Sequence, residues 1–150
     1  MLKIFATATA LSLLVGLPAP AALAAKQMLK FKLAYFLLEQ KDGENHFMGV
    51  TIAPDGTLGT KEFWSRRGDD GVMRGHSTYY LPQGTINLTM TAEGAGTTTG
   101  GRFKGKYDPG SGAGAFAGAT VTGAFEGAWG DQSPLKKASL MDIELDIKTP

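Results

Sequence analysis

The sequence predicts an all-β protein: a single antiparallel eight-stranded β-barrel over residues 26–150, after a cleaved N-terminal signal peptide over residues 1–25. Three observations carry this. Apolar residues recur at every second position along most of the chain, the period of a half-buried strand. Turn signals built from Gly, Pro and Asp interrupt that pattern about every dozen residues. Glycine is the compositional outlier, 21 residues of 150, and with Thr, Phe and Tyr it favours short strands and tight turns over helices.

The N-terminus has the three parts of an export signal. Lys3 supplies the positive region, Ile4 to Leu17 the hydrophobic stretch, and Ala22-Leu23-Ala24 the small-x-small pattern read by a signal peptidase, after Pro18 and Pro20 have stopped any helix. The apolar run falls short of the roughly 20 residues needed to span a bilayer. Cleavage after Ala24 or Ala25 leaves a mature chain of roughly 125 residues, which the reading places in the periplasm or secreted, in contact with the membrane only through the signal. The chain has no cysteine, which excludes both disulfides and a lipid-modified N-terminal cysteine. Without Lys3 the 15 basic residues become 14, matching the 14 acidic ones. That balance gives no electrostatic reason to expect nucleic acid as a partner.

Each strand follows from the residues. Leu29, Phe31, Leu33, Tyr35 and Leu37 alternate with Lys30, Lys32 and Ala34, and Asp42-Gly43 turns the chain. His46 to Ala53 makes a second strand, closed by Pro54-Asp55-Gly56, where Pro presets φ and Gly accepts a positive one. Leu58 to Arg66 is the third, with a loop over Arg67 to Gly71, and Val72 to Leu81 the fourth, ended at Pro82-Gln83-Gly84. In the fifth, Thr85 to Ala92, Ile86, Leu88 and Met90 oppose Asn87, Thr89 and Thr91. The sixth, Thr98 to Tyr107, sets Phe103 and Tyr107 against Arg102, Lys104 and Lys106, and Asp108-Pro109-Gly110 is expected to turn the chain. The seventh covers Thr120 to Trp129, followed by a loop around Pro134. The last is the clearest: Met141, Ile143, Leu145 and Ile147 against Asp142, Glu144, Asp146 and Lys148.

Eight evenly spaced strands fit a closed barrel or a sandwich. The barrel is preferred because closure leaves no edge for a disulfide-free chain to protect. An outer-membrane barrel is disfavoured, because its lipid-facing side must be uncharged, and turning the apolar faces to lipid would crowd Arg102, Lys104, Lys106, Asp142, Glu144 and Asp146 into the lumen.

The unit Gly-x-Phe-x-Gly occurs at Gly101–Gly105, Gly114–Gly118 and Gly123–Gly127. Read as strand, each copy presents small–large–small on one face, which suits a tightly curved wall better than a ligand contact. Gly112-Ala113-Gly114 is not a dinucleotide loop, since a strand and not a helix follows it. The segments Gly101-Arg102-Phe103, Asp108 to Gly114, Ala115 to Thr120 and Gly123-Ala124-Phe125 resemble the C-terminal half of allene oxide cyclase-like and dirigent-like barrels, and Tyr79 to Thr85 resembles their middle hairpin. The resemblance implies an eight-stranded, calycin-like barrel, often oligomeric, whose cavity takes an apolar or aromatic small molecule. The plant cyclase uses a cavity carboxylate. Glu39 and Glu62 are the candidates here, and neither lies in a matched segment.

Other chemistry is sparse. The two histidines, His46 and His76, lack the convergent ligands of a metal site, so neither a metal nor another cofactor is expected. There is no Gly-x-Ser-x-Gly elbow. Arg67-Gly68-Asp69 reads as a charged hairpin loop, and the sequon at Asn87 falls mid-strand. In the third strand Glu62, Trp64 and Arg66 share one face and Lys61, Phe63, Ser65 and Arg67 the other. Each face mixes an aromatic with charge, so the period leaves the inward face open.

The sequence thus supports an exported barrel that binds a small hydrophobic or aromatic ligand, with Tyr35, Trp64, Tyr79 and Phe103 as candidate lining and a homo-oligomer, trimer or dimer, as its form. Two other readings stay open: an isomerase or cyclase that steers an apolar substrate with Glu62 or Glu39, and an interaction barrel with a filled core.

Overall fold

A computed structural model of the chain describes residues 26–97, 100–130 and 138–150, and the expected signal over 1–25 and the loop around Pro134 lie outside them. Eight antiparallel strands follow one another around a closed barrel. They are β1 (Lys26–Lys41), β2 (Glu44–Ile52), β3 (Leu58–Arg67), β4 (Met73–Leu81), β5 (Gly84–Thr97), β6 (Gly100–Gly112), β7 (Thr120–Gly130) and β8 (Ala138–Lys148). β8 pairs with β7 on one side and with β1 on the other, from Lys26 opposite Lys148 to Tyr35 opposite Ser139.

The expected turns form where their chemistry allows. Asp42 and Gly43 both adopt positive φ, 51° and 78°, the conformation of the two-residue turn that matches the twist of a hairpin. At the β2–β3 turn the Thr57 N–H donates to Asp55 Oδ1 and Gly56 takes φ 85°.

Two segments depart from the sequence reading. Asp108-Pro109-Gly110 does not turn the chain: β6 runs on to Gly112, with the ladder slipping on both sides, between Asn87 and Met90 and between Tyr107 and Gly110. A bulge absorbs the proline, which cannot donate to the ladder. The middle Gly-x-Phe-x-Gly copy is not a strand either. Gly114–Phe116 forms a single 3-10 turn, flanked by Gly114 and Gly118 at positive φ, and places Phe116 in the core.

The other two copies do lie on strands, and they interlock. Across β6 and β7 Gly101 faces Trp129, Phe103 faces Gly127, Gly105 faces Phe125 and Tyr107 faces Gly123. Every inward ring therefore sits over a glycine of the neighbouring strand. A Cβ on Gly105 would run into the Phe125 ring, and one on Gly127 into the Phe103 ring and the Leu140 carbonyl.

The interior is apolar and the outer wall is divided. Phe31, Leu33, Ile86, Leu88, Val121, Ile143, Leu145 and Ile147 fill one half of the barrel. Outside, Lys26, Lys30 and Lys32 of β1 pair with Asp146, Glu144 and Asp142 of β8. On this side a charged outer face backs an apolar inner one, the reverse of the alternation in an outer-membrane strand. Phe36, Met48, Val50, Ile52, Leu58 and Tyr80 instead leave an exposed apolar stretch over β1 to β4.

Candidate functional site

The interior residues at the end where β1 turns into β2 and β3 into β4 do not fill the barrel. They enclose a cavity of about 370 Å³, toward the lower end of the roughly 300–1,000 Å³ common for small-molecule sites. Shallow valleys on the outer wall are larger, one of about 840 Å³, but Lys104, Lys106, Glu126, Asp142 and Glu144 line it with exposed charge.

Aromatic rings and thioethers form most of the wall. Tyr35 of β1 meets Phe47 and Phe63 edge-on, with centroids 5.5 and 5.1 Å apart, while Phe47 and Phe63 stack at 4.7 Å. Phe103 stacks on Trp129 at 6.0 Å on the opposite side, and Met73, Met90 and Met141 fill the gaps between rings. Cross-strand pairing sets this cluster, because Phe47 lies directly opposite Phe63 and Phe103 opposite Gly127.

Few polar groups reach the cavity. Arg67 stands at its edge, with Nη1 donating to the Gly71 carbonyl at 2.7 Å. Burial pushes the Tyr35 hydroxyl up to about 12, opposed by its hydrogen bond with Ser139. Ser65 Oγ is fully buried in the wall and has no hydrogen-bond partner among the described residues. A buried hydroxyl without a partner costs roughly 1–3 kcal/mol, so its position favours a guest that brings one.

Beneath the cavity lies the least expected group. Lys61 of β3 is fully buried, and its side chain reaches across the interior to the wall made by β6, β7 and β8. Its Nζ donates to Tyr107 Oη at 2.7 Å and approaches Met141 Sδ at 3.8 Å. The rings of Phe63, Tyr79, Tyr107 and Phe125 surround it at 4.5 to 5.6 Å. Tyr79 Oη in turn donates to Tyr107 Oη at 2.8 Å. No carboxylate pairs with the amine among the described residues. Desolvation therefore brings the ammonium down from 10.5 to about 7. Burial acts the opposite way on the phenols, holding the Tyr79 and Tyr107 hydroxyls well above their ordinary value.

The residues singled out from sequence divide between the two faces of the wall. Tyr35 and Phe103 line the cavity, and Tyr79 lies below it in the Lys61 cluster. Trp64 faces outward instead, sandwiched between His46 at 4.4 Å and His76 at 4.7 Å in the aligned row His46–Trp64–His76. The outward face of β3 also carries Glu62, which is bound to His46 Nε2 at 2.8 Å and accepts from Tyr80 Oη at 3.3 Å. Glu39 is exposed near the end of β1. Both candidate carboxylates thus lie outside the cavity: the inward parity of β3 belongs to Lys61, Phe63 and Ser65, and Glu39 stands opposite the outward His46 in the β1–β2 ladder. Among the described residues no cluster of His, Asp or Glu could hold a metal ion.

No family model matches the chain, and no curated protein matches its sequence.

Proposed function

We propose that this barrel binds a small, mainly apolar molecule with an aromatic or conjugated body inside its cavity. The observation that carries this reading is the aromatic and thioether wall around about 370 Å³, with Tyr35, Asn45, Arg67, Ser139 and the unpartnered Ser65 as its polar groups. Flat rings gain both apolar burial and edge or face contacts against such walls. The resemblance of residues 101–125 to barrels that hold apolar guests supports the same reading, and the export signal expected from the sequence would set the encounter outside the cytoplasm. The carboxylate route to an isomerase has lost its two candidates, since Glu39 and Glu62 point away from the cavity.

Titration with N-phenyl-1-naphthylamine tests it. One saturable site with enhanced probe fluorescence is expected. Ala92 lines the cavity, so Ala92→Phe fills it and removes the signal while the far-ultraviolet spectrum stays the same. Equal binding by Ala92→Phe and by the unaltered protein would overturn the proposal.

A further inference from the structure

A buried lysine without a carboxylate is a costly core residue, and one hydrogen bond to Tyr107 with four rings around the amine offsets only part of that cost. Methionine would fill a similar volume in the same ring of Phe63, Tyr79, Tyr107 and Phe125 without the desolvation cost. The position of the amine answers better to chemistry in the cavity above. Phe63, Phe125 and Met141 touch Nζ from one side and line the cavity from the other. Of these, the Met141 thioether, with Sδ 3.8 Å from Nζ, is the most flexible, and such a side chain can change rotamer at little cost.

Resting on the cavity being a binding site, we infer that Lys61 anchors a carbonyl ligand covalently: its amine adds to an aldehyde or ketone on an apolar aromatic body and forms a reversible imine.

The step balances without an oxidant or a cofactor. The nitrogen lone pair forms a bond to the carbonyl carbon while one amine proton passes to the oxygen, which gives a carbinolamine. The carbon–oxygen bond then breaks, the second amine proton leaves nitrogen, and one water departs. Tyr107 Oη, in contact with Nζ, is placed to pass these protons, and Tyr79 Oη backs it through the second hydrogen bond. An amine that gives up its proton near neutral pH is a nucleophile at rest, and phenols that stay protonated can act as acids in the dehydration. The apolar wall then keeps water from the imine.

The test uses 2-naphthaldehyde with sodium cyanoborohydride at neutral pH, and 2-naphthylmethanol as a guest without a carbonyl. Intact mass and peptide mapping should show one reduced adduct, concentrated on the peptide that carries Lys61. That adduct should be lost in Lys61→Met and blocked in Ala92→Phe, which keeps the lysine but fills the cavity. Binding of 2-naphthylmethanol, read by displacement of N-phenyl-1-naphthylamine, should survive in Lys61→Met. If guests bind but the adducts spread over exposed lysines as much as in Lys61→Met, the covalent anchor is overturned and the binding site stands. If neither guest displaces the probe, the binding reading falls as well.

Discussion

Lys61 gives the stability of this protein an unusual pH dependence. Its ammonium titrates at about 7 in the folded chain and at 10.5 when exposed. Between those values the unfolded chain holds a proton that the folded one lacks, so raising the pH favours folding, with a slope approaching about 1.4 kcal/mol per pH unit from this one site. The buried tyrosines act in the opposite sense. Tyr35 keeps its proton to about 12, whereas an unfolded tyrosine ionises near 10, so stability falls again above that point. Guanidinium midpoints measured from about pH 6 to pH 11 should therefore rise, peak near pH 10 and decline, and Lys61→Met should flatten the rising limb. At neutral pH the same substitution is expected to raise the midpoint, because it removes the cost of taking the amine out of water while Met fills a similar volume. Tyr107→Phe should cost about 1–3 kcal/mol, because it strips both Lys61 and Tyr79 of their acceptor. Tyr79→Phe should cost less, since Tyr107 still receives the amine.

At the scale of single elements, the β6–β7 pair depends on glycines opposite rings. Gly127→Ala should destabilise by roughly 1–3 kcal/mol, the usual cost of overpacking, because its new methyl meets a ring and a carbonyl. Gly130→Ala, on the same strand but with nothing within 4 Å of the added carbon, should stay within about 0.5 kcal/mol. Urea denaturation of the two variants compares them directly. The Gly-x-Phe-x-Gly repeat was visible in the sequence, but not this pairing of ring over glycine, which depends on register. The same limit hid the inward face of β3. A ladder counted straight back from the Asp42-Gly43 turn sets Leu38 opposite Phe47. A bulge between Leu37 and Glu39 restores Leu37 to that place and brings Tyr35 opposite Gly49. No residue type in that stretch announces the bulge, so the parity of Phe47, and through it that of Phe63 and Lys61, could not be carried over from the clear alternation of β1. A lysine mid-strand also faces solvent by default, and nothing local argued against that for Lys61. Trp64 stayed a candidate for the lining only because each face of the third strand mixes an aromatic with charge; in the fold it stacks between His46 and His76 on the outer wall.

For the whole molecule, strand number was legible from alternation and turn signals, and closure was inferred from the lack of any device to protect an edge. The cavity was not, because volume left unfilled depends on eight side-chain rows at once. The exposed ion pairs between β1 and β8 are each worth at most about 1 kcal/mol, so a double variant Lys30→Ala and Lys32→Ala should lower the denaturation midpoint only slightly. Removing residues 138–150 should instead abolish cooperative unfolding, since Met141, Ile143, Leu145 and Ile147 leave the core and β1 and β7 both become open edges.

That closure has a consequence for how the chain comes into being. A polypeptide is made from its amino end, and β1 finds one of its two neighbours only when β8, the eighth strand of the barrel, has been made. The ring cannot be completed piecemeal while synthesis continues. Its first strand must wait with a bare edge and apolar side chains exposed, and loop closure across nearly the whole chain makes the final step a slow one. A holding factor that shields extended segments would gain most during that interval, so chains stalled before β8 should be far more prone to aggregate than completed ones.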